Sequence, residues 1–195
     1  MARDRDLREI DDFLASTHVF AAAVRDVVEQ RILDQVAGGQ VTVPQVKLLK
    51  LVAMTQGYTL GDVASFLDVS NAAASKAVDR LVRRDLLQRS EDPDDRRAMH
   101  LSLTQAGDCL LSAYESARRR KLESIFEQFA AEDLQRAAEL LDRISADIVD
   151  HASDPAELCL RCGIYFRETC RVRQLVRRNC FYRWHAEQSA RSGKE

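Results

Sequence analysis

Apolar residues recur at steps of three and four along the first part of the chain: Leu7, Ile10, Phe13/Leu14, Thr17, Phe20/Ala21, Val24, Val27/Val28 and Ile32. That period predicts one long helix over residues 7–36, closed by Gly38-Gly39, since glycine takes the left-handed conformation that ends a helix. Its stripe is wider than one small domain covers, so further helices or a second chain should pack on it. Pro44 suits the first turn of a second helix, with Val46, Leu48/Leu49, Leu51/Val52 and Met54 inside. Leu60, Val63, Ala64 and Leu67 form one face of a short third helix, and Asp68-Val69-Ser70-Asn71 a polar turn with Ser70 as N-cap of a fourth. That fourth helix turns Ala73/Ala74, Ala77, Val78, Leu81 and Val82 inward, and Asn71, Ser75, Lys76, Asp79, Arg80 and Arg83 outward. Leu86-Leu87-Gln88-Arg89 and Met99-His100-Leu101-Ser102-Leu103 read as strands around a turn-rich tip, Glu91 to Arg97. Thr104 caps a helix running through Leu110/Leu111, Tyr114, Ala117, Leu122, Ile125/Phe126 and Phe129. Ala130-Ala131-Glu132-Asp133 opens a last one, with Leu134, Ala137/Ala138, Leu141, Ile144 and Ile148 inside.

Two helices about a polar turn, followed by a hairpin with a charged tip, are the layout of a winged helix-turn-helix. Small polar groups at the start of the fourth helix (Ser70, Asn71, Ser75) and basic groups further on (Lys76, Arg80) suit entry into a DNA major groove.

The string LxDVAxxLxVSxxxxSKxVDRLxxxxLxxRxxDPDDRRxxxLxLTxxG resembles the MarR family of transcription regulators, over roughly residues 7–152. Its most specific parts are Asp92-Pro93-Asp94-Asp95-Arg96-Arg97 and the later Leu103-Thr104-Gln105-Ala106-Gly107. The resemblance implies that Arg97 enters the minor groove, held by Asp95; an arginine there needs no base-specific bond, because a narrow groove concentrates negative potential. It implies that the first helix and the last two interleave between subunits of a homodimer. It also implies effectors between the dimer helices and the winged domain, where Phe13, Thr17, Phe20 and Met54 are candidates, with core packing as their other role. Dimerisation also follows from the reading problem, since two reading helices about one DNA turn apart multiply the discrimination of one.

Charge sharpens the expectation. The chain is net −2, and residues 60–104 hold seven Lys/Arg against eight Asp/Glu, so binding to double-stranded DNA has to come from placement. Lys76, Arg80, Arg83, Arg84, Arg96 and Arg97 should share one face, giving a salt-sensitive, sequence-selective reader. The run Arg118-Arg119-Arg120-Lys121 is expected on a solvated helix face. Apolar residues make up 46% and charged residues 31% of the chain, as in a helix-rich globular protein. No apolar run approaches the ~20 residues of a membrane span, and the start, MARDRDLREIDDF, lacks the core of a signal peptide. A cytoplasmic location is expected, with reduced or metal-bound cysteines.

Past Pro155 the composition shifts. Nine Lys/Arg and four Asp/Glu make this tail net +5 against −7 for the rest, and it holds four of the five cysteines. Cys159, Cys162, Cys170 and Cys180 are spaced C-x2-C-x7-C-x9-C, and the opening Cys-x-x-Cys lets two thiolates face one metal. A second short pair, usual in zinc knuckles, is missing, and an iron–sulfur cube accepts more scattered ligands. A [4Fe–4S] cluster is the expected cofactor; structural Zn2+ and a thiol–disulfide switch are the alternatives. Ten residues of straight helix would separate Cys170 from Cys180 by ~15 Å, so convergence of the four requires a break near Arg177 to Asn179. Cys109 is expected as a buried core thiol, and His100 in the wing strand as solvated.

The expected fold is mainly α: a winged helix-turn-helix with a two-stranded wing, long N- and C-terminal dimerisation helices and a cysteine-rich metal-binding extension. The expected divisions are a dimerisation helix at 1–40, the DNA-binding domain at 41–104, dimerisation helices at 105–152 and the cysteine-rich tail at 153–195. No phosphate loop, nucleotide fingerprint or Ser/His/Asp set marks an enzyme. The expected function is a dimeric DNA-binding transcription regulator, a repressor, modulated by an iron–sulfur cluster that senses redox state, oxygen or iron. The alternative is a regulator with structural zinc and a small aromatic effector.

Overall fold

A computed structural model describes residues 7–54, 58–67, 69–91 and 99–150. A helical run goes from Leu7 to Ala37 in three parts: α1 (Leu7–Ala23), a π-helical stretch (Val24–Arg31) and α2 (Ile32–Ala37). Then come α3 (Val43–Met54), β1 (Tyr58–Thr59), α4 (Leu60–Leu67), α5 (Asn71–Val82), β2 (Leu87–Glu91), β3 (Met99–Leu103), α6 (Gln105–Phe126) and α7 (Ala131–Asp150).

The first run is one rod, as its periodicity predicts, but its middle is wound more loosely than an α-helix. Gly38 ends it at φ 58°, donating its amide to the Asp34 carbonyl at 2.9 Å. Thr42 and Gln45 open α3 as half of a capping box: the Gln45 Oε1 accepts the Thr42 amide at 2.9 Å. Val46, Leu48, Leu49, Leu51 and Val52 of α3 are all buried. They form a core with Ile32 and Leu33 of α2, Val63 and Ala64 of α4, Ala74, Val78 and Leu81 of α5, Leu87 and Leu101 of the strands, and Leu111 and Tyr114 of α6.

The wing hairpin pairs β2 with β3 in antiparallel register, Leu87 opposite Leu103 and Glu91 opposite Met99. The expected two-stranded wing gains a third strand, because β1 adds to the free edge of β3 and gives the order β1-β3-β2. A two-residue strand carries too little alternation to be read from sequence.

One loop region locks reader, wing and α6 together. Asp85 leaves the end of α5 at φ 55°, a left-handed turn. The Leu86 amide then donates to Leu81 at 2.9 Å, and the Leu86 carbonyl accepts the Thr104 amide at 3.3 Å. The Thr104 hydroxyl donates to the Asp85 carbonyl and accepts the Gly107 amide at 3.0 Å, capping α6 as expected. A Cβ on Gly107 would collide with the Leu86 carbonyl oxygen, so the close approach of α6 to that turn requires glycine.

The two ends of the described chain bury little. Helix α1 has no buried residue, and Leu7, Ile10, Leu14, Val19 and Phe20 are exposed. In α7, Leu134 and Ile148 were expected inside but are 37% and 56% exposed, while Leu141 and Ile144 are half-buried. Phe129, expected on the inner face of the preceding helix, lies beyond its end and is exposed, its ring 6.0 Å from that of Phe126. Among the described residues nothing covers these apolar positions. Cys109 corrects an expectation too: it is exposed, because the buried stripe of α6 runs through Gly107, Leu111 and Tyr114.

Candidate nucleic-acid interface

Helix α5 is seated by Ala74, Val78 and Leu81, each wholly buried. Steps of four and three put them on one stripe, and removing a Val or Leu from water contributes about 1.5–3 kcal/mol each. Ala73 was expected beside them but is exposed; one position is a rotation of ~100°, which turns it off the stripe. Ser70 caps the helix from an extended backbone, its Oγ accepting the Ala73 amide at 3.3 Å.

Opposite the buried stripe, Lys76, Arg80 and Arg83 are exposed; Asn71 is exposed at the first position of the helix, and Ser75 is half-buried on its flank. Asp79 sits among them, and its carboxylate accepts a hydrogen bond from the Arg89 guanidinium of β2 at 2.7 Å. That pair offsets the acidic charge on the outer face and ties the helix to the wing. Arg83 folds back to donate from Nε to the Asp79 carbonyl at 3.3 Å. A neutral first turn followed by exposed cations, on a helix beside a β-hairpin, can put polar groups against base edges and cations against phosphates.

Of the residues expected at this interface, Ser70, Asn71, Ser75, Lys76 and Arg80 therefore lie along one helix. Asp95, Arg96 and Arg97 lie outside the described residues, as do Cys159, Cys162, Cys170 and Cys180. Among the described residues no group of three or more His, Cys, Asp or Glu could hold a metal ion, and no helix is long and apolar enough to cross a membrane.

Three of the four effector candidates lie on α1 and the fourth at the end of α3. Phe13 and Thr17 are half-buried on α1, where the Thr17 hydroxyl donates to the Phe13 carbonyl at 2.8 Å. Phe20 is 53% exposed on α1, and Met54 is half-buried at the end of α3. A cavity of about 540 Å3 lies between α3, the wing strands and the start of α6, and none of the four lines it. His100, at its wall, is half-buried.

A second polar set lies where the long helices meet the winged domain. Glu29 of the π-helical stretch is 7% exposed, with Lys47 of α3 at 4.0 Å. One turn along, Lys50 donates to Glu115 of α6 at 2.8 Å, and Arg118 donates to the other Glu115 oxygen at 3.1 Å. Arg118 thus departs from the solvated face expected for its run: its side chain is 17% exposed, whereas Arg119, Arg120 and Lys121 are exposed. The buried Tyr114 phenol is pushed up from 10.0 to about 12, first by burial and then by the negative charge of Glu29, with Arg118 opposing. Neither Glu29 nor the Asp79–Arg89 pair was found from sequence. A lone carboxylate in an apolar stripe was the available sign of the first; a contact ten residues apart across a loop left none for the second.

A capped helix carrying exposed cations next to a wing hairpin, on a core built from α3 to α6, defines the winged-helix class. Residues 41–99 match the sequence model of the MarR family, and the fold is similar to that of a solved MarR-family regulator. A relative described as an uncharacterized HTH-type transcriptional regulator, YsmB of Bacillus subtilis, is 25% identical over 130 residues, 67% of this chain and 86% of the relative. The solved MarR family transcription regulator SP03579 superposes with a TM-score of 0.64 at 22% identity, over 78% of this chain and all of that one. Streptococcus pneumoniae FabT, solved in complex with DNA, gives a TM-score of 0.56 at 18% identity, over 75% of this chain and all of FabT.

Proposed function

We propose that this protein is a dimeric transcription regulator that reads double-stranded DNA with α5, a repressor in its default state. The observation that carries the reading is the division of α5 into a wholly buried stripe and an opposite face bearing Lys76 and Arg80, with Asn71 exposed at the helix start. FabT was solved on DNA with the same fold. The uncovered apolar faces of α1 and α7 support a second copy as the partner, and two reading helices then meet a pseudo-palindromic operator. Arg97, oriented by Asp95, is the minor-groove contact in this reading, with Arg96 beside it. Selection from a random duplex library tests it: the wild-type chain should enrich paired half-sites, and Lys76→Ala with Arg80→Ala should abolish enrichment. No enrichment by the wild-type protein would sink it.

The finer reading concerns control. The spacing of Cys159, Cys162, Cys170 and Cys180 supports a [4Fe–4S] cluster on the tail that directly follows α7. Gain or loss of the cluster would re-aim the dimer helices and change the distance between reading heads. Structural Zn2+ with a small aromatic effector near Phe13, Thr17, Phe20 and Met54 is the competing reading. Iron, sulfide and zinc measured on anaerobically purified full-length protein separate the two: stoichiometric zinc without iron removes the cluster.

A further inference from the structure

Helix α7 is 20 residues long, and among the described residues no other element packs along it. Its most buried position is nevertheless a charged one: Asp142 is 7% exposed. Ala138 and Ala146, one turn before and one turn after, are half-buried, whereas Glu139, Arg143 and Asp147 on the adjoining face are exposed. A narrow stripe of two alanines about a carboxylate is therefore covered in the middle of the helix. At ~100° per residue the stripe lies ~80° round from Leu134 and ~120° from Ile148. It is distinct from the exposed apolar positions assigned above to a second copy.

A buried carboxylate is tolerated where a cation or hydrogen-bond donors face it, and Asp142 is a partnered residue. Alanine on either side leaves room for a long side chain to lie across the helix and reach the carboxylate. The charge of α7 points to the source of that side chain. The helix carries Glu132, Asp133, Glu139, Asp142, Asp147 and Asp150 against Arg136 and Arg143 alone. The tail that follows, from Pro155, carries nine Lys/Arg against four Asp/Glu, so helix and tail attract. Connectivity allows the contact. Asp142 stands eight residues before the end of α7, a distance of ~12 Å, which an extended chain covers in about four residues. Arg161, the first arginine after α7, is eleven residues beyond Asp150. The covalent link also gives the chain's own tail a local concentration that a second copy lacks.

We propose that the Asp142 stripe of α7 is the docking surface of the chain's own basic tail, residues 155–195, held by an arginine of that tail on the Asp142 carboxylate. This deepens the control reading given above and rests on it for its consequence alone: chemistry at the tail cysteines reaches the dimer helices through this contact.

The test uses full-length protein purified anaerobically, with iron, sulfide and zinc measured. A benzophenone amino acid is placed at Glu139 or at Ser145, exposed positions three residues to either side of Asp142. After illumination, crosslinked peptides are mapped by mass spectrometry in dimers mixed from unlabelled and heavy-nitrogen chains. Crosslinks from both positions into residues 155–195 of the same chain are expected. Asp142→Asn should lower their yield about tenfold or more, because removing one partner of a buried ion pair costs at least that factor. Should Asp142→Asn fail to fold, Arg161→Gln, Arg167→Gln, Arg171→Gln and Arg173→Gln together decide, since they leave α7 untouched and should give the same loss. Crosslinks to helices of a second copy instead, mixed-isotope pairs with its tail, or a yield that Asp142→Asn leaves unchanged would each overturn the proposal. The metal content is read separately. A zinc-loaded protein with same-chain crosslinks loses the cluster and keeps the docking, and a cluster-loaded protein without them does the reverse.

Discussion

The Arg89 guanidinium on the first wing strand lies 2.7 Å from the Asp79 carboxylate on the reading helix. The two groups are 33% and 42% exposed, so their attraction is screened and contributes at most about 1 kcal/mol to stability. The pair also joins the reading helix to the first wing strand. Arg89→Gln and Asp79→Asn should each weaken operator binding several-fold while leaving the denaturation midpoint nearly unchanged, and the double variant should lose little more than either single one. If Arg89 only contacted phosphate, Asp79→Asn would strengthen binding by removing a negative charge from the interface. Equilibrium binding of the four proteins at one salt concentration separates these outcomes.

Lys76 and Arg80 are exposed on the outer face of α5, and each should release counterions on binding. Replacing either by alanine should weaken binding and flatten the plot of log K against log salt by about 0.9 per lost phosphate contact. Ser70→Ala should act differently. It removes the acceptor of the Ala73 amide, costs about 0.5–2 kcal/mol of stability, and leaves the salt slope alone. A titration series in which Lys76→Ala keeps the wild-type slope would remove Lys76 from the phosphate contacts.

Gly107 lies under the Leu86 carbonyl in the first turn of α6. Helix propensity alone would favour Gly107→Ala by about 1 kcal/mol, yet the added methyl meets backbone that cannot step aside. Overpacking of this kind typically costs about 1–3 kcal/mol, so the net sign should be destabilising. Because the same turn carries Asp85, Thr104 and the start of the wing, operator affinity should fall together with stability. A stabilised Gly107→Ala protein by urea denaturation would refute the close approach.

The helices, the caps at Ser70 and Thr104, the glycine stop at Gly38 and the wing hairpin were legible in the sequence because each rests on local chemistry: period, a capping oxygen, a left-handed residue, alternation. The placement of Lys76 and Arg80 opposite Ala74, Val78 and Leu81 follows from the same period. The features that escaped depend on partners distant in the chain. The edge position of β1 is decided by β3, the pairing of Asp79 by a residue beyond the turn, and the exposure of Cys109 by which face of α6 the winged domain takes. The π-helical stretch escaped for another reason, since one extra residue in a turn still leaves apolar residues at steps of three and four. Leu134 and Ile148 show a further limit: their periodicity identifies an apolar face, and it does not say what covers it.

Tyr114 offers a pH test of the junction between α6 and the π-helical stretch. Its phenol is raised from 10.0 to about 12 by burial, then by Glu29, so the folded protein holds the proton more tightly than the unfolded chain. The stability linked to that proton is fully present below pH 10 and is lost as pH rises from 10 to about 12. Wild type should therefore lose urea resistance across this window more steeply than Tyr114→Phe, which has no phenol to ionise. Groups common to both proteins cancel in the comparison. Glu29→Gln removes a negative neighbour and should make the loss shallower than in wild type, while the burial contribution persists. Parallel curves for wild type and Tyr114→Phe would show that the phenol is not held buried and facing Glu29.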